Sequence, residues 1–169
     1  MSRAAVLALT VALVACGDPA VDDRADALGD EDPKVPEGPS HRPGQPCLAC
    51  HDGSQADVRR FSVAGTIYTV EGGDEVAAGA IVELVDAFGE TFRVATNCAG
   101  NFYVEPGAYD PTYPVWVALE SGDDRIEMES PIGRDGSCAT CHAHPAGKAS
   151  AGRVYLDSFE RERPATGCP

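Results

Sequence analysis

The sequence predicts an all-β domain in which about seven antiparallel strands form a sandwich. Residues 61–157 contain short segments rich in valine, isoleucine, threonine, tyrosine and phenylalanine, and apolar and polar side chains broadly alternate within them. Clusters of glycine, proline, aspartate and asparagine separate most of these segments, as turns separate short strands. Helical periodicity is nearly absent from the same region, so we expect helices to contribute little to the core.

Seven segments account for the predicted strands. In chain order they are "FSVAGTIYTV", "GAIVELVD", "TFRVATN", "NFYVEP", "PVWVALES", "RIEMES" and "GRVYLD". If consecutive strands run up and down, alternate strands end at the same end of the domain. The segment before the first strand and the segment between the sixth and seventh strands should therefore lie together at one pole. By the same count, the connection between the third and fourth strands and the tail after the seventh lie at the opposite pole.

Part of this region resembles a known family. The stretches "GTIY", "GAIVELVD", "AFGET" and "TNCAGNFYVEP", over roughly residues 61–121, resemble the carboxypeptidase regulatory-like, or transthyretin-like, domain. The resemblance implies a sandwich of seven or so antiparallel strands that serves as a binding, spacing or stabilising module, without catalysis. Some relatives in surface proteins form a Lys–Asn isopeptide bond. The first strand here has no lysine, so we do not expect that bond.

Residues 1–15 are predicted to be a signal peptide. Arg3 precedes an uncharged apolar run from Ala4 to Ala15, which is too short to span a membrane. The run ends at "LVAC", which resembles the lipobox of bacterial lipoproteins, whose cysteine becomes the lipidated first residue. On this interpretation lipid on Cys16 anchors the exported protein at the periplasmic face of a membrane or at the outer-membrane surface. The alternative is an ordinary signal peptide cleaved near Ala15, with Cys16 unmodified.

Both ends of the mature chain are predicted to lie outside the domain. Residues 16–46 are expected to form a disordered, acidic and proline-rich tether. Residues 17–46 contain six prolines and eight acidic residues with almost no large apolar side chain, so little burial could offset the entropy of ordering. Residues 158–169 are expected to be a C-terminal tail.

The charge of the chain excludes some classes of partner. The formal net charge is −14, and it becomes −15 when the positive charge of Arg3 leaves with the signal peptide. A chain this acidic is repelled by nucleic acid and by anionic lipid surfaces. We therefore expect no nucleic-acid partner, and membrane contact through the lipid anchor rather than through a basic face.

The sequence contains two C-x-x-C-H motifs, and these hold most of the candidate functional residues. They comprise Cys47, Cys50 and His51 in residues 47–60, and Cys138, Cys141 and His142 in an insertion at residues 131–151. This spacing is that of c-type haem attachment, in which two thiols add to the vinyl groups of one haem and the histidine coordinates its iron. Two such motifs in an exported chain predict two covalently bound haems c. The four cysteines would form the thioethers, and His51 and His142 would be axial ligands.

Other interpretations of the four cysteines stay open. They could form a Cys₄ zinc site, since zinc is often held by two C-x-x-C pairs that are separated by chain. They could also form two disulfides or a redox-active dithiol. Zinc clusters of this type are mostly intracellular, and they would leave both adjacent histidines without a role.

A haem that transfers electrons usually has a second axial ligand from histidine or methionine. Met128 alternates with Ile126 in a predicted strand, which favours a place in the core. The candidate distal ligands are therefore His41 and His144. His144 lies two residues after His142, too close to cap the opposite face of the same haem, but it could reach the other one. His41 could fold back from the tether onto either haem. Otherwise the two are an exposed loop residue and an unordered tether residue.

Cys98 and Cys168 are the remaining pair of cysteines, and we predict a disulfide between them. Counting strands places both at the pole opposite the motifs. The bond would pin the C-terminal tail and stabilise the fold by roughly 3–5 kcal/mol. The alternative is two unpaired thiols, which exported proteins seldom keep.

The sequence as a whole predicts a membrane-anchored dihaem c-type cytochrome. It would pass electrons between other redox proteins or to a periplasmic or extracellular acceptor. No enzyme constellation such as Ser/His/Asp is present, although peroxidase-type activity stays open if one iron lacks its sixth ligand. The alternative is a non-haem lipoprotein of the periplasm or cell surface. Its sandwich would bind or space other components, and its C-x-x-C pairs would hold zinc or form disulfides.

Overall fold

The computed structural model describes residues 19–31, 33–35, 37–54 and 58–156. This part of the chain forms six strands in two antiparallel sheets, and its helices are few and short, so the prediction of an all-β fold is confirmed. The strands are β1 (Val63–Thr66), β2 (Ile81–Val85), β3 (Thr91–Ala95), β4 (Asn101–Val104), β5 (Trp116–Ser121) and β6 (Asp124–Glu127). The helices are α1 (Pro19–Asp26), α2 (Cys138–Cys141) and a 3₁₀ turn (Cys47–Ala49).

The strands divide into a small sheet and a larger one. β1 pairs with β4 in the small sheet, where Val63 lies opposite Val104 and Thr66 opposite Asn101. The larger sheet has the order β3–β2–β5–β6, with β2 between two antiparallel neighbours. The turns between β2 and β3 and between β5 and β6 are short, as expected for antiparallel hairpins.

A single hydrophobic core contains side chains from both sheets. In β2 the side chains of Val82 and Leu84 are buried, while Glu83 between them lies on the other face of the strand. The largest fully buried side chains are Phe102, Ile67, Leu84, Val63, Val82, Val104 and Val115. The buried side chains of the two sheets thus pack against each other. This contact fixes the small sheet, and the segments attached to it, against the larger sheet.

The other face of the larger sheet is charged. Arg93 and Arg125 each bond to both Glu83 and Glu120, so the ion pairs connect β3, β2, β5 and β6. Water screens such exposed pairs, so they contribute little to stability. These exposed ion pairs show that this face of the larger sheet is in contact with water and contributes no side chains to the core.

The predicted seventh strand is reduced to one bridge. Tyr155 forms a parallel bridge with Tyr68, whose N–H donates to the carbonyl of Val154 at 2.9 Å. The N–H of Leu156 donates to the carbonyl of Tyr68 at 3.0 Å. Gly152 has a positive φ of 84°, and the residues just before it bond to the loop of the second motif. Little of this segment is therefore left to pair with a sheet.

The last part of the predicted tether packs against the domain. The amide of Asn101 donates to the carbonyl of His41 at 3.0 Å, and the N–H of Gly44 donates to Thr66 Oγ1 at 2.7 Å. The expectation of disorder is therefore wrong for residues 37–46. Side-chain hydrogen bonds order this segment, and a composition argument that weighs only apolar burial does not register them.

Within the described ranges, no helix is long and apolar enough to cross a bilayer. Several sequence-based predictions fall outside those ranges. These are the signal peptide, the lipidation of Cys16, the C-terminal tail and the participation of Cys168 in a disulfide.

Leu84 tests the assignment of the core, because its side chain is completely inaccessible to solvent. We expect Leu84→Ala to lower the free energy of unfolding by about 2–5 kcal/mol, since it removes buried apolar atoms and leaves a cavity. Denaturant unfolding measures the change. The control is Phe88→Ala, at a side chain that is 85% exposed, where we expect a change below about 0.5 kcal/mol. Equal losses in the two variants would contradict this core.

Candidate functional site

The first motif is folded into one helical turn. The 3₁₀ turn Cys47–Ala49 begins after Pro46, whose backbone is extended. The N–H of His51 donates to the carbonyl of Cys47 at 3.0 Å, and the N–H of Cys50 donates to the same carbonyl at 3.3 Å. The two cysteines and the histidine therefore belong to a single compact turn.

The second motif repeats this arrangement in α2. The N–H of His142 donates to the carbonyl of Cys138 at 2.8 Å, as His51 does to Cys47. Ser137 precedes the helix in an extended conformation, and its N–H donates to Asp135 Oδ1 at 2.8 Å. The two peptides thus share the bond from the histidine N–H to the carbonyl of the first cysteine, within a 3₁₀ turn in the first motif and an α-helical turn in the second.

Both motif histidines are oriented by a backbone carbonyl. Nδ1 of His51 lies 2.7 Å from the carbonyl oxygen of Arg59, and Nδ1 of His142 lies 2.9 Å from that of Gly152. Because a carbonyl only accepts, Nδ1 carries the proton in each ring, and Nε2 of the neutral ring keeps its lone pair. Histidines that bind metals commonly donate their second nitrogen in this way. Each imidazole is therefore arranged to coordinate through Nε2.

Both motifs are attached to β1. The N–H of Gly44, just before the first motif, donates to Thr66 Oγ1 at 2.7 Å. The N–H of Ala64 donates at 2.9 Å to the carbonyl of Gly136, just before the second motif. Two residues along a strand span about 7 Å, so the two peptides meet β1 at neighbouring positions. The structure thus brings together two motifs that are far apart in sequence.

Gly65, between these two attachment points, lies against the second motif. A Cβ atom at this position would lie 2.7 Å from both Cβ and Sγ of Cys138, and 3.1 Å from a ring carbon of Phe102. Real Cβ atoms do not come so close to another side chain. Glycine at position 65 is therefore what lets α2 approach β1.

A cavity of about 600 Å³ lies beside the first motif. Its walls include both cysteines and the histidine of that motif, together with apolar and aromatic side chains. The latter are Leu28, Pro39, Val58, Phe61, Phe102 and Tyr103. This volume is within the range of roughly 300–1,000 Å³ for pockets that hold small molecules and cofactors. The first motif thus has a largely apolar compartment next to it.

His41 lies in the same cavity as the first motif. Its ring centroid is 5.8 Å from that of His51, and the two ring planes differ by 16°. Nδ1 of His41 accepts the N–H of Gly38 at 3.3 Å, so the proton of the neutral ring lies on Nε2. This is the opposite tautomer to that of His51. His41 could coordinate through Nε2 only after giving up the bond from Gly38.

Burial sets the protonation of the site. It raises the pKa of the Cys47 thiol to about 11, and burial together with the nearby Cys47 raises the pKa of the Cys138 thiol to about 12. Burial lowers the pKa of His51, against the opposing effect of the bond to Arg59, and the neighbouring His41 lowers it further. At neutral pH both thiols are therefore protonated and His51 is neutral, with its Nε2 lone pair available.

His144 does not join this site. It is exposed in the loop after α2, and it is not part of the wall of the cavity beside the first motif. The loop is held by other residues, since Ser150 Oγ donates to the carbonyl of Ala143 at 2.6 Å. Of the two candidate distal ligands, the structure places only His41 beside a motif histidine.

Cys98 is disulfide-bonded, and its predicted partner Cys168 lies outside the described residues. Sγ of Cys98 is 3.6 Å from Oγ of Ser40, the neighbour of His41. Residues 37–46, which precede the first motif, thus reach the turn between β3 and β4, where Cys98 lies.

The four cysteines of the motifs are free thiols and form no disulfide with one another. In the part of the chain that the structure describes, no three histidine, cysteine, aspartate or glutamate side chains converge to hold a metal ion. A tetrahedral Cys₄ zinc site would need all four sulfurs in contact with one ion.

Sequence reasoning missed the residues that support the motifs. The sequence could not predict that the carbonyls of Arg59 and Gly152 orient the histidines, because every residue type has a backbone carbonyl. Phe61 contributes to the cavity wall, although its sequence context is that of an ordinary strand residue. The glycine at position 65 inside a predicted strand was a usable signal, since glycine there often marks a close approach.

No family model, no curated protein and no solved structure matches the chain. What the protein does must therefore be inferred from its own residues and their arrangement.

The contact between Gly65 and Cys138 can be tested by mutation. We expect Gly65→Ala to lower the free energy of unfolding by about 1–3 kcal/mol, because the added methyl group overpacks the contact between β1 and α2. Cys138 should then react faster with a thiol reagent, as followed by mass spectrometry. The control is Gly107→Ala, where an added Cβ meets no atom within 4 Å. Wild-type stability and labelling rate in Gly65→Ala would contradict the close packing.

Proposed function

We propose that the chain is an exported, lipid-anchored dihaem c-type cytochrome, in which a transthyretin-like sandwich carries two haems for electron transfer. The main support is the geometry that the two motifs share. In each, the histidine N–H donates to the carbonyl of the first cysteine, and the ring donates Nδ1–H to a carbonyl, at 2.7 Å for His51 and 2.9 Å for His142. A pair of ordinary loops that happen to contain cysteine would have no reason to share this feature.

The residues around the first motif fit a haem. Cys47 and Cys50 would hold it through thioethers, and His51 would be its axial ligand through Nε2. A bound haem supplies a one-electron iron couple whose potential depends on its ligands and on its burial. The carbonyl of Arg59 fixes the tautomer of His51, and the wall of the 600 Å³ cavity contains apolar side chains together with charged ones such as Glu31 and Arg42.

The second motif offers the same donors in a more open setting. Cys141 is exposed, while Cys138 and His142 are half-buried. A haem held by these residues would therefore have different surroundings from one in the first cavity. Because burial is one of the determinants of haem potential, we expect the two haems to have different potentials.

His41 is the favoured distal ligand of the first haem, because it shares the cavity with His51. Coordination would replace the bond that it accepts from Gly38. His144 is the sequence-based candidate for the second haem, and it lies on an exposed loop close to His142.

The proposed protein would work beside the membrane that holds its lipid anchor. Its partners would be other redox proteins or a periplasmic or extracellular electron acceptor. The described residues provide no arrangement that favours the non-haem alternative, in which the cysteine pairs hold zinc or close as disulfides.

Haem attachment can be measured directly on the full chain, expressed with its signal peptide in a host that matures c-type cytochromes. We expect a red protein with the reduced α-band of haem c and a mass increase of two haems. Replacing both cysteines of one motif with alanine should leave one haem. Cys98→Ala, which removes a cysteine outside the motifs, should keep both.

A colourless protein at the apo mass, made where a known c-type cytochrome matures normally, would refute the cytochrome proposal. Its zinc content would then be measured. Two haems in either motif variant would show that attachment does not depend on these cysteines.

The distal ligand of the first haem can be tested in the variant that keeps only that haem, with Cys138→Ala and Cys141→Ala. We expect His41→Ala to convert the ferric haem from low spin to high spin, because the sixth ligand is lost, and the absorption spectrum reports this change. The matched control is His144→Ala, which should leave the spectrum unaltered. A spin change in the His144 variant alone would assign the ligand to His144.

A further inference from the structure

Four aromatic rings form a row along the first motif. In order they are His41, His51, Phe61 and Tyr103, with centroid separations of 5.8, 4.3 and 4.8 Å. The planes of neighbouring rings differ by 16°, 19° and 22°. The separation of 4.3 Å between His51 and Phe61 is that of rings in direct face-to-face contact. One face of the His51 imidazole is therefore covered by Phe61.

The position of Phe61 is fixed independently of this contact. Its N–H donates to the carbonyl of His51 at 2.8 Å. The next residue, Ser62, is tied to the sheet, since its N–H donates to the carbonyl of Val104 at 2.7 Å and its hydroxyl to that of Tyr109 at 2.6 Å. The side chain of Phe61 is buried. The ring of Phe61 thus belongs to the rigid domain.

Two contacts of different kinds act on the His51 ring. The carbonyl of Arg59 holds Nδ1 at the edge of the ring, but a single hydrogen bond leaves the ring able to swing about that bond. The ring of Phe61 lies on the face and opposes this motion. The two contacts together select one plane for the imidazole.

The second motif provides an internal comparison. His142 has the corresponding bond to the carbonyl of Gly152. The aromatic ring contacts of the described residues, however, do not include His142. Support by an aromatic ring is therefore a feature of the first motif and not of the C-x-x-C-H turn itself.

We propose that Phe61 is a positioning residue that fixes the plane of the His51 imidazole and thereby the orientation of the axial ligand at the first haem. This inference rests on the proposed function, because it concerns His51 as an iron ligand. Phe61 acts through His51 and has no chemical role of its own. Its loss should leave haem attachment intact and alter the electronic environment of one iron only.

The test uses the variant that keeps the first haem alone, and it compares Phe61→Leu, Phe61→Tyr and Phe92→Leu. Phe92 is the matched control, because its ring stacks on Tyr109 at 5.1 Å with 11° between the planes, in the larger sheet. The readout is the electron paramagnetic resonance spectrum of the ferric haem, whose g values depend on the orientation of axial imidazoles. We expect shifted and broadened g values in Phe61→Leu, and the parent signal in Phe61→Tyr and Phe92→Leu. Equal spectra for Phe61→Leu and Phe92→Leu would overturn the proposal.

A second measurement needs neither a bound haem nor a change at Phe61. In the full chain produced without haem attachment, the ring current of Phe61 should shift the imidazole protons of His51 upfield in the NMR spectrum, relative to those of His142. Absence of that difference would overturn the proposal even if Phe61→Leu failed to fold. If the chain also stays colourless in a host that matures c-type cytochromes, the shift would support the contact between Phe61 and His51 while the missing haem refutes the cytochrome function.

Discussion

The hydrogen bonds of β1 are the constraint on which the rest of the structure depends. All four residues of this strand are buried, so their backbone groups must find partners within the protein. β4 supplies some of them, and the carbonyl of Gly136 accepts the N–H of Ala64. The hydroxyl of Thr66 in turn accepts the N–H of Gly44. Leaving such a buried group unpaired costs about 1–3 kcal/mol. The motif peptides therefore stabilise the domain that holds them, and function and stability are coupled at this strand.

The two motifs show how one local geometry can serve two environments. The bond from the histidine N–H to the first cysteine recurs in both, and so does the bond from Nδ1 to a carbonyl, which belongs to a residue eight positions after His51 and ten after His142. What differs is the surroundings: aromatic side chains such as Phe61 enclose the first motif, whereas Cys141 of the second is exposed. If both sites held haems, as proposed, the same ligand type in different surroundings would give the two irons different potentials. The electron would then reside preferentially on the haem with the higher potential.

The sequence predicts those parts of the fold that depend on the pattern of apolar and polar residue types. It does not predict the parts that depend on a backbone carbonyl or on a single polar side chain. The alternation in Ile81–Val85 was enough to predict β2 and its buried face. The composition of residues 37–46 is typical of a disordered segment. The side-chain amides of Asn97 and Asn101 donate to backbone carbonyls of this segment and thereby order it. The carbonyl that orients His51 belongs to Arg59, whose side chain is irrelevant to that role. The spacing of cysteine and histidine predicts a candidate site, but it could not reveal these supports.

The close packing of Cys138 against Gly65 affects how easily a group can be attached to the Cys138 thiol once the chain has folded. Burial raises the pKa of the Cys138 thiol to about 12, so this thiol is protonated at neutral pH in the folded chain. The space beside it, where even an added Cβ would lie 2.7 Å from its sulfur, leaves no route for a bulky reagent from the side of β1. On the proposed function, the thioether at this thiol would therefore have to form before α2 packs against β1. A chain that folded before attachment would then be withdrawn from maturation.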